Sequence, residues 1–303
     1  MSRKLFRAYY VWPDFPSISL SGESCSLNCL HCGRTYLGDM EPATSPERLV
    51  SLCEELKKKG AKGVLLSGGC DSKGRMLNLE KLLPAIRAVH DMGLIIKLHT
   101  GFAEKALAKE IVGAGVDIAS MEMVGDAGTV KHIFGLDATP EDYLATFKNL
   151  QDAGVPHICP HVCVGLRGGK LVGEFHALDL LAESINISTL AIIVMRPTKG
   201  TALAHIPPPT GADVESVVAH ARKLFPDAKI ILGALRPRGS EEKGGKVERL
   251  AIELGALRGG IDGAEVPSRE MLDAAMSMGM AINKIQAYGV LPVDFEKRVR
   301  TEI

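Results

Sequence analysis

Short runs of β-branched and other apolar residues recur along the whole chain, each followed by a longer stretch whose apolar positions return every three or four residues. The first rhythm belongs to buried strands, the second to helices with one buried face. Strands are predicted at Ile18–Leu20, Gly63–Ser67, Leu94–Leu98, Asp117–Glu122, His157–Val164, Ile187–Met195, Lys229–Ala234 and Arg258–Ile261. Between them, Ser45-Pro46-Glu47 and Thr139-Pro140-Glu141 each set a capping hydroxyl before a proline at the first helical position. Lys57-Lys58-Lys59 followed by Gly60 marks a helix end, with cations facing the negative end of the dipole and a glycine free for a left-handed cap. Strand–helix units that follow one another without a low-complexity linker predict an α/β fold: one (β/α)8 TIM-type barrel, complete or slightly open. It forms a single domain over 1–303, with 1–17 as an N-terminal extension, 280–303 as a C-terminal tail and Pro207-Pro208-Pro209 as a loop. Catalytic groups of such a barrel gather at the carboxyl ends of its strands.

Charge narrows the partners. The 303 residues carry 36 Lys+Arg against 36 Asp+Glu, so no overall field draws in nucleic acid or an anionic membrane surface. No apolar run approaches the roughly 18 residues that a membrane span requires. Arg3, Lys4 and Arg7 are followed by Trp12, Pro13 and Asp14 rather than by an apolar segment and a cleavage site, so a cytoplasmic protein is expected.

Cysteine usage points the same way. Seven cysteines is an odd number, and three of them fall in Ser24-Cys25-Ser26-Leu27-Asn28-Cys29-Leu30-His31-Cys32-Gly33, a C-x3-C-x2-C loop after the first predicted strand. Three thiolates this close can serve one centre of zinc or iron and sulfide. Zinc would need a fourth ligand, and His31, wedged beside Cys32, is an awkward one. Three cysteines leave one corner of a [4Fe-4S] cube open, and an open iron can bind a substrate or cofactor.

This loop resembles the signature of the radical S-adenosylmethionine superfamily, and the resemblance extends downstream, from about Ile18 to Pro237. Ser67-Gly68-Gly69-Cys70-Asp71 is similar to the family's Gly-Gly-Glu turn, whose backbone binds the methionyl amino group; Cys70 stands at the acid and Asp71 is the residue that would substitute for it. His31 replaces the aromatic residue usual before the third cysteine. Val164-Gly165-Leu166 is similar to the segment packed near the adenine, and Arg196-Pro197-Thr198-Lys199-Gly200-Thr201-Ala202-Leu203 resembles a segment of biotin synthase and its relatives. The resemblance implies a [4Fe-4S] cluster held by Cys25, Cys29 and Cys32, with S-adenosylmethionine contacted by Gly68, Gly69, Asp71, Ser120, Glu122, Val164, Gly165 and Arg196. Reductive cleavage then yields a 5′-deoxyadenosyl radical, and no catalytic residue beyond the clusters is implied.

A second set comprises Cys70, Cys159, His161 and Cys163. Alternation along a strand puts Cys159, His161 and Cys163 on one face, with Pro160 making the strand irregular. If that face is inward, the set suggests an auxiliary iron–sulfur cluster, which His99 could complete; the rival reading is buried cysteines that pack as small hydrophobes. Cys53 lies in a helix stripe with Leu49, Leu52 and Leu56 and reads as structural. Lys97 and His99 share a strand face, and Arg196, Lys199, Arg236 and Arg238 are candidates to receive a carboxylate.

Within the superfamily the chain most resembles the biotin synthase-like branch, and there the two-component lipoyl synthase subunits. That resemblance implies sulfur insertion into a protein- or peptide-bound octanoyl chain, with an auxiliary cluster as sulfur donor, a paralogous partner and an electron donor such as a ferredoxin. The alternatives are a radical rearrangement or maturation enzyme of the pyrrolysine-synthesis or hydrogenase-maturation type, and a non-catalytic zinc-binding scaffold.

Overall fold

The computed structural model describes residues 4–237 and 245–302. Helix α1 (Pro46–Lys58) starts as its sequence dictates: the Ser45 hydroxyl accepts the Arg48 N–H at 3.2 Å, and Pro46 opens the first turn. It ends on Lys57 and Lys58, with Gly60 at φ 99° reversing the chain. Thr139 and Asp142 form a reciprocal capping box at the head of α5 (Pro140–Ala153). The other helices are α2 (Leu79–Asp91), α3 (Lys105–Gly113), α4 (Ala127–Thr129, continued by a wider turn over Val130–Phe134), α6 (Glu174–Ser184), α7 (Gly211–Leu224), α8 (Gly245–Gly259) and α9 (Arg269–Ser277).

The strands form one curled sheet. In chain order they are β1 (Leu5–Tyr9), β2 (Ser17–Ser19), β3 (Glu41–Pro42), β4 (Gly63–Ser67), β5 (Ile95–His99), β6 (Ile118–Glu122), β7 (His157–Val164), β8 (Thr189–Val194), β9 (Lys229–Leu232), β10 (Gly263–Glu265), β11 (Ala281–Ile285) and β12 (Thr301–Glu302). Their spatial order is β12-β11-β1-β10-β9-β8-β7-β6-β5-β4-β2-β3, parallel throughout except for β12 against β11. β3 and β12 are the two edges, so the barrel is open. A large apolar cluster fills the space between sheet and helices, built on residues such as Leu66, Ile86, Leu98, Phe147 and Ile192. A second one closes the floor of the lumen with Phe15, Leu65, Ile95, Ile118, Cys159, Ala191, Ile231, Tyr288 and Leu291.

The pattern-based reading differs from this at the two ends. Arg258–Ile261 is not a strand: α8 runs to Gly259 and β10 begins at Gly263. A glycine inside the helix, Gly255, allows the extension by letting the backbone approach the Gly211 carbonyl, 2.0 Å from where a Cβ would stand. Within 1–17 and 280–303, β1 and β11 pair with each other, Leu5 opposite Ala281 through Tyr9 opposite Ile285. Residues after β11 fold back under the barrel, and Tyr288, Val290 and Leu291 plug its floor. β7 runs unbroken through Pro160, which lies opposite Met121.

Candidate active site

The three cysteines sit on the crossing between β2 and β3, above the carboxyl ends of β4 to β7. Tight turns shape the loop: Gly33 N–H donates to the Cys29 carbonyl at 2.9 Å and Thr35 N–H to that of Cys32 at 2.9 Å. Gly33 and Arg34 hold left-handed conformations, φ 53° and 66°. Backbone N–H groups face the sulfurs. The Cys70 amide points at Cys25 Sγ across 3.3 Å, and amides of Arg34 and Tyr36 face Cys32. Burial, then the neighbouring Cys32, Glu122, Cys25 and Cys70, pushes the Cys29 thiol far up; burial also raises Cys32 against the pull of its two amides. Such thiols keep their protons unless a metal takes the proton's place.

The glycine turn after β4 clamps this loop. Gly69 N–H donates to Ser21 Oγ at 2.7 Å, its carbonyl accepts Leu77 N–H at 3.0 Å, and the Cys70 carbonyl accepts Ser26 N–H at 2.7 Å. A Cβ at Gly69 would stand 2.1 Å from the Ser24 carbonyl oxygen and 2.5 Å from Cys25 Cβ. Only glycine lets these two backbones touch.

Beneath the loop, adjacent strands present a polar row. Pairing sets His99 opposite Ser120, Ser120 opposite Cys159, and Glu122 opposite His161. Ser67 Oγ bonds His99 Nδ1 at 3.2 Å, and the His99 and His161 rings meet edge to face, centroids 5.3 Å apart. Glu122 carries a carboxyl that burial pushes up to about 7.

Residues 20–170 match the sequence family described as the Radical SAM superfamily. Biotin synthases are relatives: that of Vibrio parahaemolyticus is 26% identical over 241 residues, and that of Coxiella burnetii 25% over 236. The chain belongs to the radical SAM superfamily. Each alignment covers 74% of this chain; this chain spans 65% of the Vibrio parahaemolyticus protein and 70% of the Coxiella burnetii one. Among solved structures, methylornithine synthase (PylB) aligns over 97% of this chain and 86% of its own, with TM-score 0.60 and 15% identity. The FeFe-hydrogenase maturase HydG from Carboxydothermus hydrogenoformans aligns over 92% and 68%, with TM-score 0.59 and 15% identity. These likenesses give the fold.

Radical SAM chemistry implies S-adenosylmethionine and a [4Fe-4S] cluster, and the donor set fits the cluster: three cysteines on one short loop, with backbone amides aimed at two of the sulfurs. Among the described residues no three His, Cys, Asp or Glu converge tightly enough for a single metal ion. A cube has no such requirement, because each thiolate binds a different iron. His31, the fourth donor of the zinc reading, is turned edge-on to Phe134 at 5.3 Å. Burial holds its ring down to about 4.

The residues expected around S-adenosylmethionine divide. Asp71 is occupied by its own turn, accepting Lys73 N–H at 2.9 Å, Arg75 N–H at 3.0 Å and the Arg75 side chain at 2.8 Å. Gly68 and Gly69 belong to the clamp. Gly165 turns the chain at φ 76° against Pro209, donating to Glu174 Oε1 at 2.8 Å, and Val164 is buried in the outer core. Glu122 lines the cavity beside Cys163 and stands near enough to the cysteine loop for its charge to act on Cys29 and Cys32. Arg196 lies over the Tyr36 ring at 5.3 Å, beside that loop. Arg236 is spent elsewhere: wholly buried, it binds Glu253 at 2.8 Å and the carbonyls of Gly233, Glu265 and Val266. Arg238 and the polar stretch at 239–244 lie outside the described residues.

The second cysteine set is not gathered. Cys70 stands by Cys25 above the lumen, and Cys159 lies in its floor among Leu65, Ile118, Ala191 and Ile231. Cys163, two inward positions beyond Cys159 and so roughly 13 Å along the strand, lines a cavity of about 10 Å³ with Glu122, Val162 and Glu174. Sequence reasoning missed the floor residue Tyr288, whose ring faces Lys97. No local pattern announces a tail residue that enters the lumen from below. Cys53 is buried in the α1 stripe, as expected.

Proposed function

We propose that the chain cleaves S-adenosylmethionine reductively and abstracts hydrogen from a carbon of a substrate seated in the lumen between the cysteine loop and the polar row. The observation that carries this is the placement of Cys25, Cys29 and Cys32 over that row, clamped by the Gly69 turn. Those three cysteines would hold the cluster, with amides of Cys70, Arg34 and Tyr36 tuning its sulfurs. Glu122 and Arg196, one acid and one guanidinium beside the loop, suit the ammonium and carboxylate of the methionyl end. When bound, the reduced cluster and S-adenosylmethionine supply a 5′-deoxyadenosyl radical able to attack an unactivated C–H bond. The test is anaerobic reconstitution: about four irons per chain and formation of 5′-deoxyadenosine support the reading, and zinc alone sinks it.

The finer reading is sulfur insertion into a carrier-bound octanoyl chain, with a paralogous partner and a ferredoxin-like donor in the cytoplasm. The biotin synthase relatives support it, as does a cysteine, Cys159, in the lumen floor. Incubation with an octanoylated carrier peptide should then add sulfur mass to the peptide. One observation favours a second reading, a rearrangement or cleavage of a small polar molecule without sulfur insertion: the apolar neighbours of Cys159 supply no further soft ligand, and the row above it is polar. The neighbours in fold, methylornithine synthase (PylB) and the FeFe-hydrogenase maturase HydG, are compatible with that alternative.

A further inference from the structure

We propose that the lumen contains an anion subsite, formed by Lys97, His99, Ser120 and His161, that receives the carboxylate of a small substrate. The inference rests on the hydrogen-abstraction reading above and, between the two finer readings, favours the second, since a chain tied to its carrier through an amide has no such group.

Lys97 is 5% exposed, in the middle of β5. Its ammonium lies over the Tyr288 ring, 4.8 Å from the centroid, and among the described residues no carboxylate pairs with it. Glu265 acts on it without forming an ion pair; its Oε2 accepts Ala234 N–H at 2.8 Å and its Oε1 accepts Gly289 N–H at 2.7 Å. A second acid, Glu122, stands near the cysteine loop, where its charge acts on Cys29.

Two positions beyond Lys97 stands His99, whose Nδ1 is held by Ser67; with Ser67 donating, Nε2 carries the hydrogen. Among the described residues that Nε2 is buried without a partner, as are His161 Nε2 and Ser120 Oγ, the last on a residue with 0% exposure. Buried polar atoms are nearly always paired, so three orphans on the neighbouring strands β5, β6 and β7 mark a place where something else supplies the partner. A metal cation fits badly beside an ammonium, and a bare alkyl chain would leave every donor unpaired. A carboxylate accepts from the ammonium, from the hydroxyl and from each imidazole whose Nε2 carries the hydrogen.

The matched probes are propionate and propionamide, which share a shape and differ in charge, titrated into the anaerobically reconstituted protein. Propionate is expected to bind at least about tenfold more tightly. The preference should vanish in Lys97→Met and persist in Lys97→Arg, which keeps the charge. Crystals soaked in sodium bromide should show anomalous density within hydrogen-bond distance of Lys97 Nζ and the two imidazoles. Equal affinity of wild type for the two probes overturns the proposal, whatever the variants do, and so does a preference that survives Lys97→Met. Cleavage of S-adenosylmethionine is measured on the same samples. If the charge preference holds while 5′-deoxyadenosine is never formed, the subsite stands and the hydrogen-abstraction reading falls; the reverse pattern removes the subsite alone.

Discussion

A single methyl group at Gly69 should disable the site without touching a cysteine. The Cβ of Gly69→Ala would stand 2.1 Å from the Ser24 carbonyl oxygen, 2.5 Å from Cys25 Cβ and 2.7 Å from Cys25 Cα. These atoms are backbone or next to it, and the first lies roughly 1 Å inside van der Waals contact, so the cysteine loop must move by about that much. Overpacking of this kind costs about 1–3 kcal/mol in stability, a cost a folded domain survives. The functional loss is larger. A shift of about 1 Å in a catalytic arrangement is worth on the order of 100-fold in rate. The Gly69 amide, at 2.7 Å from Ser21 Oγ, and the Cys70 amide, at 3.3 Å from Cys25 Sγ, would be displaced with it. The assay is 5′-deoxyadenosine formed per chain under reducing, anaerobic conditions, alongside iron content and melting temperature. Gly113→Ala is the control, since nothing lies within 4 Å of a Cβ there. A Gly69→Ala protein with wild-type cleavage would refute the claim that this contact positions the cluster loop.

Replacing Cys25, Cys29 and Cys32 together by Ala should abolish cleavage of S-adenosylmethionine and the broad visible absorption of the cluster, and retained cleavage would remove the assignment. Arg236→Met leaves the wholly buried Glu253 carboxylate without its 2.8 Å partner. It should lower stability by about 3–5 kcal/mol, read as a fall in melting temperature; an unchanged value would mean that Arg249, at 3.0 Å, suffices. Burial holds the Lys229 ammonium down to about 8. Below that pH both folded and unfolded chains carry its proton and the group adds no slope. Between about 8 and the ordinary lysine value near 10.4 the unfolded chain keeps a proton the folded one has shed, so stability rises with pH. Denaturant unfolding should show the rise, on the order of 3 kcal/mol, in wild type and not in Lys229→Met. Parallel curves for the two proteins would contradict it.

Much of the barrel was legible because its central strands carry their own punctuation. Gly63–Ser67 and His157–Val164 are bounded by turn residues on both sides and fold over the predicted spans. The ends were not legible, for a different physical reason. Leu5–Tyr9 has no helix after it and gains its place only by pairing with Ala281–Ile285 and Gly263–Glu265, partners more than 250 residues away. Arg258–Ile261 misled because its first two residues end a helix whose interior glycine reads locally as a stop. Only the facing Gly211 backbone explains that glycine.

The same distinction orders the site. Cys25, Cys29 and Cys32 could be recognised from spacing because one loop carries them all, and spacing within a loop limits distance directly. Cys70 comes from the turn after β4, and Cys159 and Cys163 from β7, so their distances follow from register and from height along the barrel. Height separates them: Cys70 lies level with the cysteine loop, Cys159 in the apolar floor, and Cys163 beside Glu174. Register also sets Lys97, His99, Ser120 and His161 on neighbouring strands, with the two imidazoles in contact, although each is ordinary in its own strand. What marks them as a group is energetic. A cation without an ion-pair partner and three buried polar atoms without hydrogen-bond partners, among the described residues, are tolerated in a packed interior where an incoming ligand completes the set.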